Sequence, residues 1–314
     1  MSSSTPTPLR MSGMDWTLLV LLAVIWGGAF FLVAIILRDL DPLTLVAGRV
    51  VIAAVTLWVL ALVWRLPMPR TWPVWRAFLV LGVLNNAVPF SLLAFGQTQI
   101  GAGLAAILNA TTPLFTALVA TLALADERLT PAKTLGIALG FLGVVVMVGP
   151  NALAGLFDSV AGQIACVGAA FSYGLAAVYA RRFKALGLAP RQIATGQLTA
   201  SALVMSGIAL LFAQPHALLT ISATGLASLA AMGVVCTALA YLIYFRLVAN
   251  AGATNASLVT FLVPATAILL GVLVLGERLT GPEIAGMALI LAGLACIDGR
   301  LLSRAQVLHR LVER

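Results

Sequence analysis

Chemistry in this chain would have to come from the few polar side chains set into long apolar runs. Thr237, Tyr241 and Tyr244 recur at i, i+4 and i+7; Asn109, Thr112 and Thr116, and again Ser257, Thr260 and Pro264, recur at i, i+3 and i+7. Each set falls on one face of a helix. The adjacent amides Asn85 and Asn86, the group Ser172, Tyr173 and Tyr179, and Trp26 lie in further apolar runs. Amides and phenols can bond an ammonium or a carboxylate without adding net charge, and aromatic faces attract the ammonium. A neutral zwitterion with an apolar side chain suits such a lining, as do many uncharged metabolites. Against this stands the use of Ser, Thr and Asn to tie helices together or to bond their own backbone. That packing role outweighs lining for any single Ser or Thr. For Asn85, Asn86, Asn109, Tyr241 and Tyr244 the two are even.

What the runs lack is as informative. Asp15, Asp39, Asp41, Asp126, Asp158 and Asp298 all lie at run ends or in connectors, and His216 and His309 are peripheral. With no titratable relay inside a run, facilitated diffusion down a gradient is simpler than proton coupling. The cysteines Cys166, Cys236 and Cys296 have neither paired spacing nor a nearby His, so no disulfide and no metal is expected. No nucleophile has a base and an orienting partner, and no glycine loop cradles phosphate. The chain is expected to be no enzyme and to need no cofactor. Arg49 alone is basic within a run, and a structural or snorkelling role is the stronger reading. Glu127 and Glu277 stand in tight turns followed by Thr130-Pro131 and Thr280-Gly281-Pro282-Glu283, which read as helix starts with Thr as N-cap. Ser159 is placed in an outer loop.

The elements that must hold these groups follow from composition. At 62% hydrophobic and only 9% charged residues, the chain cannot hide its apolar side chains inside a soluble core. Ten apolar runs, at 16–37, 43–64, 74–94, 103–123, 132–148, 160–180, 192–212, 224–247, 253–275 and 284–302, approach the roughly 20 residues that a helix needs to cross a bilayer. Helices are expected because lipid leaves unpaired backbone groups unsatisfied. The net charge of +8 belongs to short connectors, a topological signal in place of a nucleic-acid site. Arg10, Arg65, Arg70, Arg76, Arg128, Lys133, Arg181, Arg182, Lys184, Arg191, Arg246, Arg300, Arg304, Arg310 and Arg314 fall on one side of such a chain, against Arg38 and Arg278 on the other. Both termini are therefore expected in the cytoplasm.

The chain also contains itself twice. Gly82-Val83 answers Gly233-Val234, Gly101-Ala102 answers Gly252-Ala253, Pro113 answers Pro264, and Glu127-Arg128-Leu129-Thr130 answers Glu277-Arg278-Leu279-Thr280. Trp26-Gly27 aligns more weakly with Tyr173-Gly174. Each copy holds five runs, an odd number, so the second must enter the membrane inverted. The expected fold is an all-α integral membrane protein of ten transmembrane helices in two inverted-topology repeats, 16–149 and 160–302, with cytoplasmic tails 1–15 and 303–314. A site between the halves near the midplane suits alternating access. Pro89, Pro113 and Pro264 remove helix hydrogen bonds and serve equally well as hinges or as static kinks. The glycine-rich fifth and tenth runs read as packing helices.

Trp26-Gly27, the proline-bearing fourth and ninth runs, and GERLTGPEIAGMALILAG from Gly276 to Gly293 with its echo from Asp126 to Gly143 resemble the drug/metabolite transporter superfamily, in its ten-span branch of paired EamA-type units. The likeness spans residues 16–302 and is greatest to bacterial amino-acid exporters. It implies a secondary transporter in the bacterial inner membrane that exports or exchanges small metabolites, amino acids foremost. Trp26, Asn85, Asn86, Asn109, Tyr173, Tyr241 and Tyr244 are the candidate substrate contacts. The partners expected are that small molecule and the bilayer, with no nucleic acid and the chain acting as a monomer. A proton-coupled exporter of lipophilic cations would want a membrane carboxylate, and a scaffold without cargo is the remaining alternative. An alkaline phosphatase reporter fused after Arg314 is expected to be inactive; strong activity there would demand an odd number of spans.

Overall fold

The computed structural model describes residues 11–124, 130–153, 157–251, 256 and 259–298. Every regular element among them is helical. Seven helices are long and apolar enough to cross a membrane: α1 (Gly13–Ile36), α2 (Pro42–Val63), α3 (Trp72–Gly96), α4 (Ala102–Ala123), α6 (Phe157–Ala180), α7 (Pro190–Phe212) and α8 (Ala223–Leu247). Three more, α5 (Pro131–Leu153), α9 (Val259–Leu275) and α10 (Gly281–Asp298), contain shorter apolar stretches. The chain is a multi-pass membrane protein, with Leu122, Leu211 and Leu273 among the large apolar side chains left exposed for lipid.

Local chemistry explains where these helices begin. Ser12 and Asp15 cap each other at the start of α1, the Ser12 amide donating to Asp15 Oδ2 at 2.9 Å and the Asp15 amide to Ser12 Oγ at 3.2 Å. Asp41 takes the amides of Leu43 and Thr44 at 3.0 Å each, with Pro42 in the first turn of α2. Burial alone would raise the Asp41 carboxyl, but hydrogen bonds from Thr44, Gln214 and Leu43 outweigh it and hold the group below its ordinary range. At α5 the amide of Lys133 donates to Thr130 Oγ1 at 3.3 Å, and before α10 the Thr280 amide donates to Glu283 Oε2 at 2.6 Å. Both turns thus start helices as their sequences indicate; Glu127 lies outside the described residues.

The bundle is held by close helix pairs. α1 packs on α9 and α8, α6 on α4 and α3, α2 on α8 and α7, α7 on α3, α4 on α9, and α5 on α10. Glycine lets backbones meet at the tightest crossings. A β-carbon at Gly27 would fall 2.9 Å from the Val263 carbonyl, and one at Gly174 would fall 2.9 Å from the Phe115 carbonyl carbon. Between α5 and α10, a β-carbon at Gly143 would sit 2.6 Å from the Gly286 carbonyl oxygen, and one at Gly293 2.5 Å from that of Gly136. Two main apolar clusters result, and Ile25 and Tyr173 pack against both.

Because the obstacle at Gly143 is backbone, it cannot swing aside as a side chain would. Gly143→Val is expected to lower stability by about 1–3 kcal/mol, read as a lower melting temperature of the detergent-solubilised protein. Gly207→Ala, facing open space inside α7, is expected to be neutral or to stabilise by up to roughly 1 kcal/mol.

Candidate functional site

Two of the crossing helices carry a widened turn at positions that correspond in the two copies of the repeat. In α3 residues Val83–Ala87 form a π turn, and in α8 residues Val234–Leu239 do the same. The first follows from local sequence. The Val88 amide bonds to Val83 O, five residues back, and Pro89 has no amide to offer, so the Leu84 carbonyl loses its helical partner. The Ser172 hydroxyl of α6 donates to that carbonyl at 2.7 Å. In α8 the Thr237 hydroxyl donates to the Met232 carbonyl at 2.8 Å.

Each π turn pushes polar side chains at a neighbouring helix of the other half. From α3, Asn85 Nδ2 donates to Gln197 Oε1 of α7 at 3.0 Å, and Asn86 Nδ2 to Ser201 Oγ at 3.0 Å. Tyr241 of α8 closes the chain, its hydroxyl donating to Asn86 Oδ1 at 2.7 Å and accepting from Asn85 Nδ2 at 3.3 Å. Asn86, Gln197, Ser201 and Thr237 are all buried. Inside a low-dielectric bundle a satisfied network of this kind is rigid, and removing one member leaves another without a partner.

Arg49 enters the same region from α2 and was not among the candidates. Snorkelling does not occur: the side chain is only 9% exposed. Its Nε donates to Thr237 Oγ1 at 2.9 Å, and its guanidinium carbon lies 3.6 Å from the centre of the Phe90 ring. Tyr173, Tyr241 and Cys236 are its titratable neighbours, and Phe90 meets Tyr173 edge-on at 6.5 Å. The reason is packing. α8 presses its π turn against α2 at Gly233, where a β-carbon would come within 3.1 Å of the Arg49 carbonyl, and so brings the Thr237 acceptor to the guanidinium. One signal could have found it: Arg49 aligns in the repeat with Gln197, so both copies place a polar group at this position.

The other candidates divide. Trp26 packs on Tyr244, ring centres 5.6 Å apart, beside rather than within the hydrogen-bonded network. Asn109 makes no bond to that network, and its Oδ1 is buried without a hydrogen-bond partner. α4 is interrupted just after it, at Ala110 and Thr111, with Pro113 in the first turn of the second segment. Thr111, Thr112 and Thr116 each donate to a carbonyl three or four residues back in α4, which is the packing role. Pro89 follows its π turn and Pro264 lies within α9. Tyr179 sits apart, under Arg182 and against Phe183; Ser257 lies outside the described residues. Gln97 and Gln163, two amides whose polar atoms are all buried without partners, were also missed.

At the end of the bundle Glu277 is structural, but across the two copies. It takes the amides of Ala102 and Gly103, the start of α4, at 2.6 and 2.9 Å. Ser159 is not in a loop but in the first turn of α6, half-buried, and it lines a pocket of about 290 Å³ with Gln99, Arg278 and Glu277.

A helical membrane bundle with a polar network at its interior crossings has the make-up of a solute transporter. The chain belongs to the EamA-like transporter family, whose model matches residues 15–149 and 160–297. It is 28% identical to the "Uncharacterized transporter YvbV" of Bacillus subtilis, over 92% of each chain. It is 29% identical to a "Probable amino-acid metabolite efflux pump" of Salmonella typhimurium, covering 90% of this chain and 94% of that one. At 27% identity it resembles the "Uncharacterized inner membrane transporter YedA" of Escherichia coli, over 83% of each. A solved crystal structure at 21% identity covers 93% of this chain and 99% of its own with a TM-score of 0.64, so the two share a fold. The protein is therefore a transporter of small molecules in a lipid bilayer and not an enzyme.

Thr237 is the link between the α8 backbone and Arg49. Thr237→Val removes both of its hydrogen bonds and is expected to destabilise the detergent-solubilised protein by about 1–3 kcal/mol, measured as a drop in melting temperature. An unchanged melting temperature would mean that the Arg49 contact holds nothing in place.

Proposed function

We propose that this protein exports or exchanges small zwitterionic metabolites, amino acids foremost, by alternating access between two inverted five-helix repeats, 16–149 and 160–302. The observation that carries the reading is the interior network, in which Asn85 and Asn86 of the first copy bond Gln197, Ser201 and Tyr241 of the second. An inverted repeat is supported by the way contacts recur. α1 on α9 is matched by α6 on α4, α3 on α6 by α8 on α1, and α2 on α8 by α7 on α3. Gly27 against α9 is likewise matched by Gly174 against α4. A pseudo-two-fold axis in the membrane plane has this consequence, and it leaves a site between the halves.

In this reading Trp26, Asn109, Tyr173, Tyr241 and Tyr244 contact the substrate. Asn85 stands beside them, and Asn86 acts mainly by holding Tyr241. The free Asn109 oxygen suits an ammonium group. Pro89, Pro113 and Pro264 mark where helices bend as the halves exchange access. The protein works as a monomer in the bacterial inner membrane with both termini cytoplasmic. The amino-acid assignment is supported by the names of two relatives, each a "Probable amino-acid metabolite efflux pump". Among the described residues the carboxylates sit at helix ends, which favours facilitated diffusion over proton coupling.

Leucine counterflow in proteoliposomes containing only this protein tests the proposal. Flux is expected to persist when a protonophore collapses the proton gradient. Asn109→Ala and Tyr241→Phe are each expected to raise half-saturation several-fold, since a hydrogen bond to an ionised group contributes roughly 1.5–3 kcal/mol. Uphill uptake driven by a pH step alone would overturn the mechanism, and parental kinetics in both variants would move the site elsewhere.

A further inference from the structure

We infer that Arg49 anchors a carboxylate on the transported molecule, so that the protein accepts amino acids and related monocarboxylates and rejects their amides and organic cations. This rests on the transport reading above and adds to it the chemical group that is recognised. The first ground is a set of unused hydrogen-bond donors. A guanidinium presents five N–H donors in a planar fork. Here Nε is used on Thr237, while the fork's two terminal nitrogens have no protein acceptor among the hydrogen bonds of the described residues.

The second ground is that no counter-ion stands beside Arg49 among the described residues. Asp15 is taken by Ser12, Asp39 by Ser222, Asp41 by Leu43 and Thr44, Glu277 by Ala102 and Gly103, and Glu283 by Thr280. These carboxylates stand at helix ends, and the titratable groups around Arg49 are two phenols and a thiol. A charge this deeply buried without an anion is costly to keep. An anion supplied by the substrate would relieve that cost only while cargo is bound.

The third ground is how firmly the group is held. The Thr237 hydroxyl spends its hydrogen on the Met232 carbonyl, leaving a lone pair for Arg49 Nε, and the Phe90 ring covers one face of the guanidinium at 3.6 Å. One edge and one face are thereby fixed, and the edge between the terminal nitrogens is left for a planar two-oxygen partner. That is the geometry in which Arg pairs bidentately with a carboxylate and Lys cannot. The same fixed charge repels an organic cation from this position.

The test uses leucine, leucinamide, which lacks the carboxylate, and 4-methylpentanoate, which lacks the ammonium. Each is added to the full-length detergent-solubilised protein during thermal unfolding, and the last two compete against leucine counterflow in proteoliposomes. Leucine and 4-methylpentanoate are expected to raise the melting temperature and leucinamide to leave it unchanged. Leucinamide should compete at least about tenfold more weakly than unlabelled leucine. Arg49→Gln should lose both the stabilisation and the discrimination. Arg49→Lys keeps the charge without the fork, so it should discriminate still while binding more weakly, which separates recognition from folding. Equal competition by leucine and leucinamide in the parent overturns the anchor and leaves amino-acid transport standing. Absent leucine flux with 4-methylpentanoate still stabilising the parent, but not Arg49→Gln, does the reverse. Stabilisation by neither carboxylate overturns the anchor; if Arg49→Gln does not fold, the parent and Arg49→Lys comparisons decide.

Discussion

Hydrocarbon supplies no hydrogen bonds, so each polar group carried into the bundle must be met by another part of the chain, and the interior of this protein is arranged by that shortage. The π turn in α3 strips the Leu84 carbonyl of its helical partner, and Ser172 on α6 replaces it. The π turn in α8 is served by its own Thr237, whose oxygen then becomes the acceptor for Arg49. Defects in two helices are thus converted into contacts between helices. The side chains that satisfy them are held with little freedom.

Those contacts are unevenly distributed. α5 and α10 meet through glycine backbones, where a methyl group would not fit, and form a closely packed pair. The two copies also meet closely at Gly27, Gly174 and Gly233, and beside these contacts they are linked by hydrogen bonds. Asn85 is shared between Gln197 and Tyr241, and Glu277 reaches from the turn before α10 to the first amides of α4. Interlocked backbones cannot slide without losing their packing, whereas a buried polar link gives way only where water or solute takes over its hydrogen bonds.

The central residues also show why amide and hydroxyl groups are hard to assign from type alone. Thr112 and Thr116 bond their own helix, as intramembrane threonines commonly do. Thr237 looks the same in sequence yet connects α8 to α2. Asn86 is satisfied on both sides while Asn109 keeps a bare oxygen. The difference lies in the neighbours that each helix happens to face.

Hydropathy, run length, capping residues and the internal repeat are properties of a single helix or of the chain read end to end, and they were legible in the sequence. They determined that the protein is helical, crosses a membrane many times, and starts helices at Thr130 and Thr280. They also marked Asn85, Asn86 and Tyr241, because polar groups in apolar runs stand out by composition. The rotation and register of one helix against another are decided only by packing. An ideal helix turns about 100° per residue, so a π turn rotates everything beyond it, and the even spacing of Thr237, Tyr241 and Tyr244 no longer describes one face. In the structure they go to Arg49, to Asn86 and to Trp26. For the same reason the burial of Arg49 and the reach of Glu277 to α4 came only with the tertiary structure. Each depends on a partner more than a hundred residues away, and nothing local in the sequence specifies that distance.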